Sequence, residues 1–348
     1  MTTEKIRVTL PDPSKPVVVN ADGHGFYRVA YSPELLSRLN ASTIRRLSII
    51  ERYNLVDDAW SAVVAGRTDA ADFLRFISNF DAERDLAVWQ AIALGLRGCS
   101  RLLSGDQQSP LQARIAALVA PALDDIGWDP TPNENDLRGK LRGLLIVLLA
   151  CDASDPAAQE RGRAIFAAAG AGTAIDPEIL VAATSIVSST GGDEEFDMFT
   201  ERFKTATVPQ DRMRALYALA NFQSAALIAR ACEFAFSSEV KSQDAPFLLN
   251  RCMGNREYGH VAWRIIRERW AEANEKFPVN SIVRMVDPVR VLNTAELLAE
   301  AQEFFAEHPI AQSAKTLEQI LERQRINTAL RRREESRLFS ALHSDKAP

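Results

Sequence analysis

The chain is poor in the residues that usually do chemistry: 348 residues hold four cysteines and four histidines, and neither type is arranged as a site. Cys99, Cys151, Cys232 and Cys252 are far apart, lie in helical patterns and form no CxxC pair, so they read as reduced core thiols. His24, His260, His308 and His343 never occur as HExxH or any other close pair, and no metal site is visible; each reads as an ordinary surface or packing residue. There is no GxxxxGK[ST], no GxGxxG after a strand and no GxSxG elbow, so phosphate cradling and the commonest serine-hydrolase geometry have no support. No apolar run approaches the roughly eighteen residues of a membrane span, and Met1 to Leu10 carries charges where a signal peptide needs an apolar core. The expectation is a cytoplasmic chain with no membrane partner. Positive charge is also short: the net charge is −5, which argues against nucleic acid, because phosphate backbones are met by clustered lysine and arginine.

What is present is the material of a folded protein. The composition is 47% hydrophobic and 25% charged, as in soluble globular chains. The length allows two or more ordinary domains, or one elongated helical array that stacks its core along an axis. Near the N-terminus Ile6, Val8 and Leu10 alternate with Lys5, Arg7 and Thr9, the period of a half-buried strand. Val17 to Val19 and Phe26 to Tyr31 predict two more strands, with the turn residues Ala21-Asp22-Gly23-His24-Gly25 between them. Three strands alone leave one face and both edges wet, so they should lean on the following helices or on strands absent from this chain.

From Ser32 onward the punctuation is helical. Ser32-Pro33-Glu34, Asp155-Pro156 and Asp176-Pro177-Glu178 each set a capping oxygen before a proline suited to the first helical position. Gly66, Gly105, Gly170 and the Gly191-Gly192 pair read as stops. Leu86, Trp89, Ile92 and Leu96 make one apolar stripe, Leu137, Leu141, Leu144 and Leu148 a second, and Phe196, Phe199 and Phe203 a third; all three read as core. The run Leu144 to Ala150 is apolar on every side and predicts an inner-layer helix. The fold class is mainly α: an irregular HEAT-like α-α superhelix without a strict repeat, preceded by a few β-strands.

Adjacent acids give no acid/base pair, because neighbours on a helix point about a hundred degrees apart. Asp57-Asp58, Asp124-Asp125 and Glu194-Glu195 therefore read as solvated faces and caps. Arg331-Arg332-Arg333 followed by Glu334-Glu335 reads as a self-paired exposed helix rather than a nucleic-acid clamp.

Several phrases, in order, resemble one family. Asn20-Ala21-Asp22-Gly23-His24-Gly25-Phe26-Tyr27-Arg28-Val29-Ala30-Tyr31 resembles the closing strands of the β-sandwich domain of M1-family zinc aminopeptidases. Ile50 to Trp60 with Ala65-Gly66, and Ile126-Gly127-Trp128-Asp129-Pro130 with Leu141-Arg142-Gly143-Leu144, are similar to segments of that family's C-terminal α-superhelical (ERAP1-C-like) domain. The most specific phrase is Val240-Lys241-Ser242-Gln243-Asp244 ahead of Gly259-His260-Val261-Ala262-Trp263-Arg264-Ile265-Ile266-Arg267-Glu268-Arg269-Trp270. Phe304-Phe305-Ala306-Glu307-His308-Pro309 with Thr316-Leu317-Glu318-Gln319 is most similar to the puromycin-sensitive and aminopeptidase N branch.

The resemblance implies that residues 1–31 end a β-sandwich and residues 32–348 form the superhelix that caps a catalytic cleft. The partners it implies are the catalytic domain of an M1 aminopeptidase, on the same or a separate chain, and peptide substrates. Zinc would belong to that catalytic domain. HExxH and GxMEN are absent from this sequence, so no zinc ligand, catalytic acid or base, or amine anchor is carried over, and the chain by itself is expected to be inert as a peptidase. One residue is nominated for substrate: Arg284, in Ser281-Ile282-Val283-Arg284-Met285, which resembles a phrase bearing a chamber-facing arginine able to hold a carboxylate by paired hydrogen bonds; a surface or structural ion-pair role is the plain alternative. Arg28 is read as structural, satisfying open carbonyls where strands give way to helices. Two other readings stay open: a free-standing HEAT-like scaffold that binds protein or peptide, with Met1 a genuine start, and an enzyme of unrecognised chemistry.

Overall fold

A computed structural model describes residues 7–344, and among them every regular element is helical. The chain divides into two compact units, residues up to Gly95 and residues from Leu96.

The expected strands are not there. Ile6 lies outside the described residues; Val8 is 73% exposed, and Val17 to Val19 and Phe26 to Tyr31 follow irregular paths. A strand needs a neighbour to accept its ladder bonds. Here local groups take them: the Val19 N–H donates to the Tyr31 hydroxyl at 2.9 Å, and the Asn20 side chain accepts from the Gly25 N–H while donating to the Gly25 carbonyl at 3.0 Å. The turn between the expected strands does form, as a short 3-10 turn Ala21–Gly23 with Asp22 and Gly23 at positive φ.

The first unit holds α1 (Pro33–Ser37), α2 (Ala41–Ile44), α3 (Ile49–Val64), α4 (Ala70–Ile77) and the start of α5 (Leu86–Ser100). Ser32 caps α1, and Ser48 with Glu51 forms a reciprocal capping box on α3, satisfying N–H groups that a first turn leaves open. Gly66, at φ 70°, lets the chain leave after α3 in the left-handed region. The core joins α3 to α4 through Trp60 and Phe73, ring centroids 5.3 Å apart. Arg28 does not cap carbonyls; its guanidinium pairs with Asp57 and Asp58 on α3. Asp58 is thereby a buried residue, 6% exposed, where a solvated face was expected, and burial pushes its carboxyl up against the opposing pull of the Val29 N–H and Arg28.

The second unit runs from the end of α5 through α6 (Ser109–Ile126), α7 (Asp136–Val147), α8 (Pro156–Gly170), α9 (Pro177–Thr190), α10 (Asp193–Thr205), α11 (Pro209–Ala218), α12 (Ala225–Phe236), α13 (Ala245–Gly254), α14 (Gly259–Glu268), α15 (Trp270–Lys276), α16 (Val279–Met285), α17 (Ala295–Glu307) and α18 (Ala314–Ser344). Asp155 and Asp176 cap α8 and α9, each ahead of a proline at the first helical position, as their sequence phrases predict. Successive helices pack in pairs, α8 on α9, α10 on α11, α12 on α13, and their apolar stripes meet in one continuous core. Phe196, Phe199 and Phe203 are buried as expected; of the second stripe Leu141 and Leu148 are buried, Leu144 is half-buried and Leu137 is 59% exposed, while Leu145 and Ile146 are also buried. The apolar run ends in a π-helical turn, Leu148–Asp152.

An open stack of repeats touches only its neighbours. This unit also closes on itself. The Arg101 guanidinium donates to the Gly254 carbonyl at 2.6 Å, the Asn293 side chain donates to the Arg101 carbonyl at 3.0 Å, and Arg331 reaches the Ser104 hydroxyl, contacts that span 153, 192 and 227 positions of sequence. No helix among the described residues is long and apolar enough to cross a membrane.

Candidate functional site

These closing contacts build a cavity. It has a volume of about 240 Å³ and lies where the end of α5, the turn between α13 and α14, the segment before α17 and the middle of α18 come together. Leu103, Leu292 and Leu297 give it an apolar wall. Its polar wall holds Arg101, Arg256, Arg331, Glu257, His260 and Asn293.

Each arginine is held by its backbone setting. Arg101 follows α5 directly and is half-buried; its side chain is oriented by the Gly254 carbonyl. Arg256 sits in the α13–α14 turn, where buried Asn255 fixes the backbone: its Oδ1 accepts from the N–H groups of Glu257 and Tyr258, and its Nδ2 donates to the carbonyls of Ala220 and Phe222. Arg256 then donates to the Ser100 hydroxyl at 2.5 Å and pairs with Glu257 at 2.7 Å. Arg331 projects from α18, supported by Glu335 one turn on at 3.3 Å and by the Asn293 side-chain oxygen at 3.3 Å.

Arg101 has no carboxylate partner within ion-pair distance among the described residues. Burial lowers its pKa to about 10, and the positive charges of Arg256 and Arg97 push the same way, against the pull of Glu257. It is still a cation at neutral pH. Of the three guanidinium groups in the lining, Arg256 is paired with Glu257 and Arg331 with Glu335, so Arg101 is the one left without a carboxylate. Such an arrangement can hold an anion by charge-assisted hydrogen bonds.

Arg284, the residue nominated from the sequence, lies elsewhere, in the last turn of α16. Ser281, Ile282, Val283 and Met285 around it are buried, while Arg284 is exposed; its main-chain carbonyl accepts from the Asn250 side chain at 2.6 Å. Its guanidinium makes no ion pair among the described residues. Of the histidines, only His260 reaches the cavity; His308 stacks on Phe304, centroids 4.4 Å apart.

The family-like phrases have structural work to do. Trp263 and Trp270 from one phrase meet Phe304 and Phe305 from another, with centroid distances of 5.2–6.1 Å, so two segments remote in sequence form one aromatic cluster. In the Gly127-Trp128-Asp129 phrase, Arg161 stacks over the Trp128 ring at 4.6 Å and Arg142 donates to the Gly127 carbonyl at 2.8 Å. The charge run pairs with itself as expected, Arg331 with Glu335 and Arg333 with Glu334, but Glu334 is fully buried where an exposed face was predicted.

Sequence reasoning missed the cavity. Arg101, Arg256 and Arg331 come from distant parts of the chain, and only Arg331 was singled out, as part of a charge run. No local pattern marks three residues that meet only when an array closes. The described residues contain no group of three or more His, Cys, Asp or Glu side chains placed to hold a metal ion.

Comparison with known proteins agrees with the phrases. The sequence model described as "ERAP1-like C-terminal domain" matches residues 16–326. Among curated proteins, the chain is 28% identical over 322 residues to aminopeptidase M1-A of Oryza sativa subsp. japonica, covering 89% of this chain and 36% of that protein. It is 26% identical over 327 residues to aminopeptidase M1 of Arabidopsis thaliana, with 89% and 36% covered, and 25% identical over 270 residues to puromycin-sensitive aminopeptidase of Caenorhabditis elegans, with 76% and 28% covered. The chain thus spans about a third of the length of these relatives.

Proposed function

The chain belongs to the ERAP1-like C-terminal domain family, and from that premise we propose that it is the non-catalytic C-terminal domain of an M1 zinc aminopeptidase, an enzyme that removes N-terminal residues from peptides. The observation that carries this reading is the match over residues 16–326, which takes in both units of an all-helical body whose relatives bear the aminopeptidase name. In this reading the helical array is a HEAT-like superhelix that caps the catalytic cleft and governs which peptides enter. Its partners are the catalytic domain and the peptide. Zinc sits in that catalytic domain.

Arg284 is the proposed contact to the distal part of a peptide. Its guanidinium is exposed and unpaired among the described residues, and it stands on a turn whose other side chains are buried, a rigid base for a cation that must meet a carboxylate. The four free thiols suit a reducing compartment, and the cytoplasm is the proposed location.

The test has two arms. The purified chain, assayed with zinc against an aminoacyl fluorogenic amide, should show no turnover; chelator-sensitive turnover would contradict a non-catalytic role. Mixed with the catalytic domain of its own enzyme, the chain should co-elute with it and change the rate for long peptides more than for single aminoacyl amides. Failure to bind any M1 catalytic domain, with tight binding to an unrelated folded protein instead, would favour a free-standing scaffold.

A further inference from the structure

We propose that the cavity of Arg101, Arg256 and Arg331 is a binding site for a compact oxyanion, a phosphate or carboxylate group, and that the bound anion fastens the closure of the second unit. The site stands on its own geometry and does not rest on the aminopeptidase reading.

The argument begins with charge. Three guanidinium groups share a cavity of about 240 Å³ with one carboxylate. Glu257 is spent on Arg256, and Glu335 supports Arg331, which leaves Arg101 with only a carbonyl for company. Half-buried like charges repel one another in a medium that screens them less than water does. A folded protein that keeps such a set together gains from a counter-ion at their centre. The cavity has room for one: its volume exceeds that of a single water several times over, and phosphate is only a few times larger than water.

Position adds the second step. The three arginines stand on the three segments that close the unit: the end of α5, the α13–α14 turn and α18. An oxyanion that accepts hydrogen bonds from all of them would be a fourth tie between those segments, beside Arg101 to Gly254, Arg256 to Ser100 and Arg331 to Ser104. Guanidinium forks match oxyanions in geometry as well as charge, and the neighbouring Asn293 amide and Ser104 hydroxyl are further donors for oxygens that the forks do not reach. Binding to the closed form alone would stabilise that form by mass action.

The experiment titrates inorganic phosphate into the purified chain at constant ionic strength, held with sodium chloride, and follows heat and melting temperature. A saturable heat and a saturable rise in melting temperature are expected. Arg101→Gln and Arg331→Gln should each weaken binding by at least about tenfold, the loss of one charge-assisted pair. Arg46→Gln, an exposed position in the first unit, should bind as the unaltered chain does. If the cavity variants do not fold, hydrogen exchange of the unaltered chain decides: phosphate should slow exchange at residues 100–104, 254–257 and 291–294 above all. A peptide with a free C-terminal carboxylate that displaces phosphate, while its amidated form does not, would identify a chain end as the natural source of the oxyanion; no displacement would identify a free small anion. No saturable effect, or an equal effect in Arg331→Gln and in the unaltered chain, overturns the proposal, as does protection spread evenly over the molecule.

Discussion

Arg142 and Glu134 face each other through two parallel hydrogen bonds, Nη1 to Oε1 at 2.6 Å and Nη2 to Oε2 at 2.5 Å, with the arginine side chain wholly buried. The same guanidinium donates from Nε to the Gly127 carbonyl, so one side chain of α7 pins both ends of the connection that follows α6. Arg142→Ala leaves a carboxylate that is 7% exposed without its bidentate partner, with only Arg138 at 3.5 Å and the Thr131 donors beside it. Removing one member of a buried pair costs about 3–5 kcal/mol, because the other charge stays desolvated. Urea unfolding should show that loss, and the double change Arg142→Met with Glu134→Leu should recover a large part of it.

The same pair predicts an acid response. The hydrogen bonds from Arg142 hold the Glu134 carboxyl at about 2, against an ordinary value of 4.5, despite burial pushing the other way. A group whose pKa is depressed by folding contributes stability above its unfolded value and loses it as pH falls towards its folded value. The contribution should therefore be whole above about pH 4.5 and fade between there and about pH 2. Melting temperature measured across that interval should fall less steeply in Glu134→Gln than in the unaltered chain.

Gly259 opens α14 where no side chain fits. A Cβ built there would lie 2.2 Å from the Met253 carbonyl oxygen, a backbone atom that cannot rotate away. Gly259→Ala must shift the α13–α14 junction, at a cost of about 1–3 kcal/mol by the measure of overpacked cores. Gly254→Ala, whose added methyl meets no atom within 4 Å, is the control. Thermal unfolding of the two variants should separate them clearly.

Much of the helical body was legible because its signals are local. Capping oxygens at Ser32, Asp155 and Asp176 act within three residues, and the stripes Trp89-Ile92-Leu96 and Phe196-Phe199-Phe203 are periodic. The N-terminal strands failed for the opposite reason. Alternation at Val8 and β-branching at Val17 to Val19 describe what a segment can do beside a partner strand, and among the described residues no partner exists; Phe26 stands fully exposed as a result. Of the second stripe Leu141 and Leu148 are buried, but Leu137 stands in the first turn of α7 and stays exposed, a difference that spacing alone does not carry. The arginine cavity belongs to the same class as the strands: its members become neighbours only through closure of the whole unit, a long-range event that no window of sequence contains.

The thiols supply the last test. Cys99, Cys232 and Cys252 are fully buried and Cys151 is half-buried, its sulfur 3.3 Å from the Ser189 hydroxyl oxygen. Burial pushes the Cys99 thiol far up, and pushes Cys151 to about 11 against the opposing effect of Ser189. Cys252 is raised first by its hydrogen bond with Cys232 and then by burial. The thiolate is the nucleophile, so Cys99, Cys151 and Cys252 are protected twice, by low ionisation and by low access, and Cys232 by low access. In the native chain at pH 7.5, iodoacetamide should label none of the four quickly, and Cys151 should react first as pH rises. Under denaturing conditions all four should react at the rate of free cysteine. Fast native labelling of Cys99, read by peptide mass mapping, would show that α5 opens far more often than its burial allows.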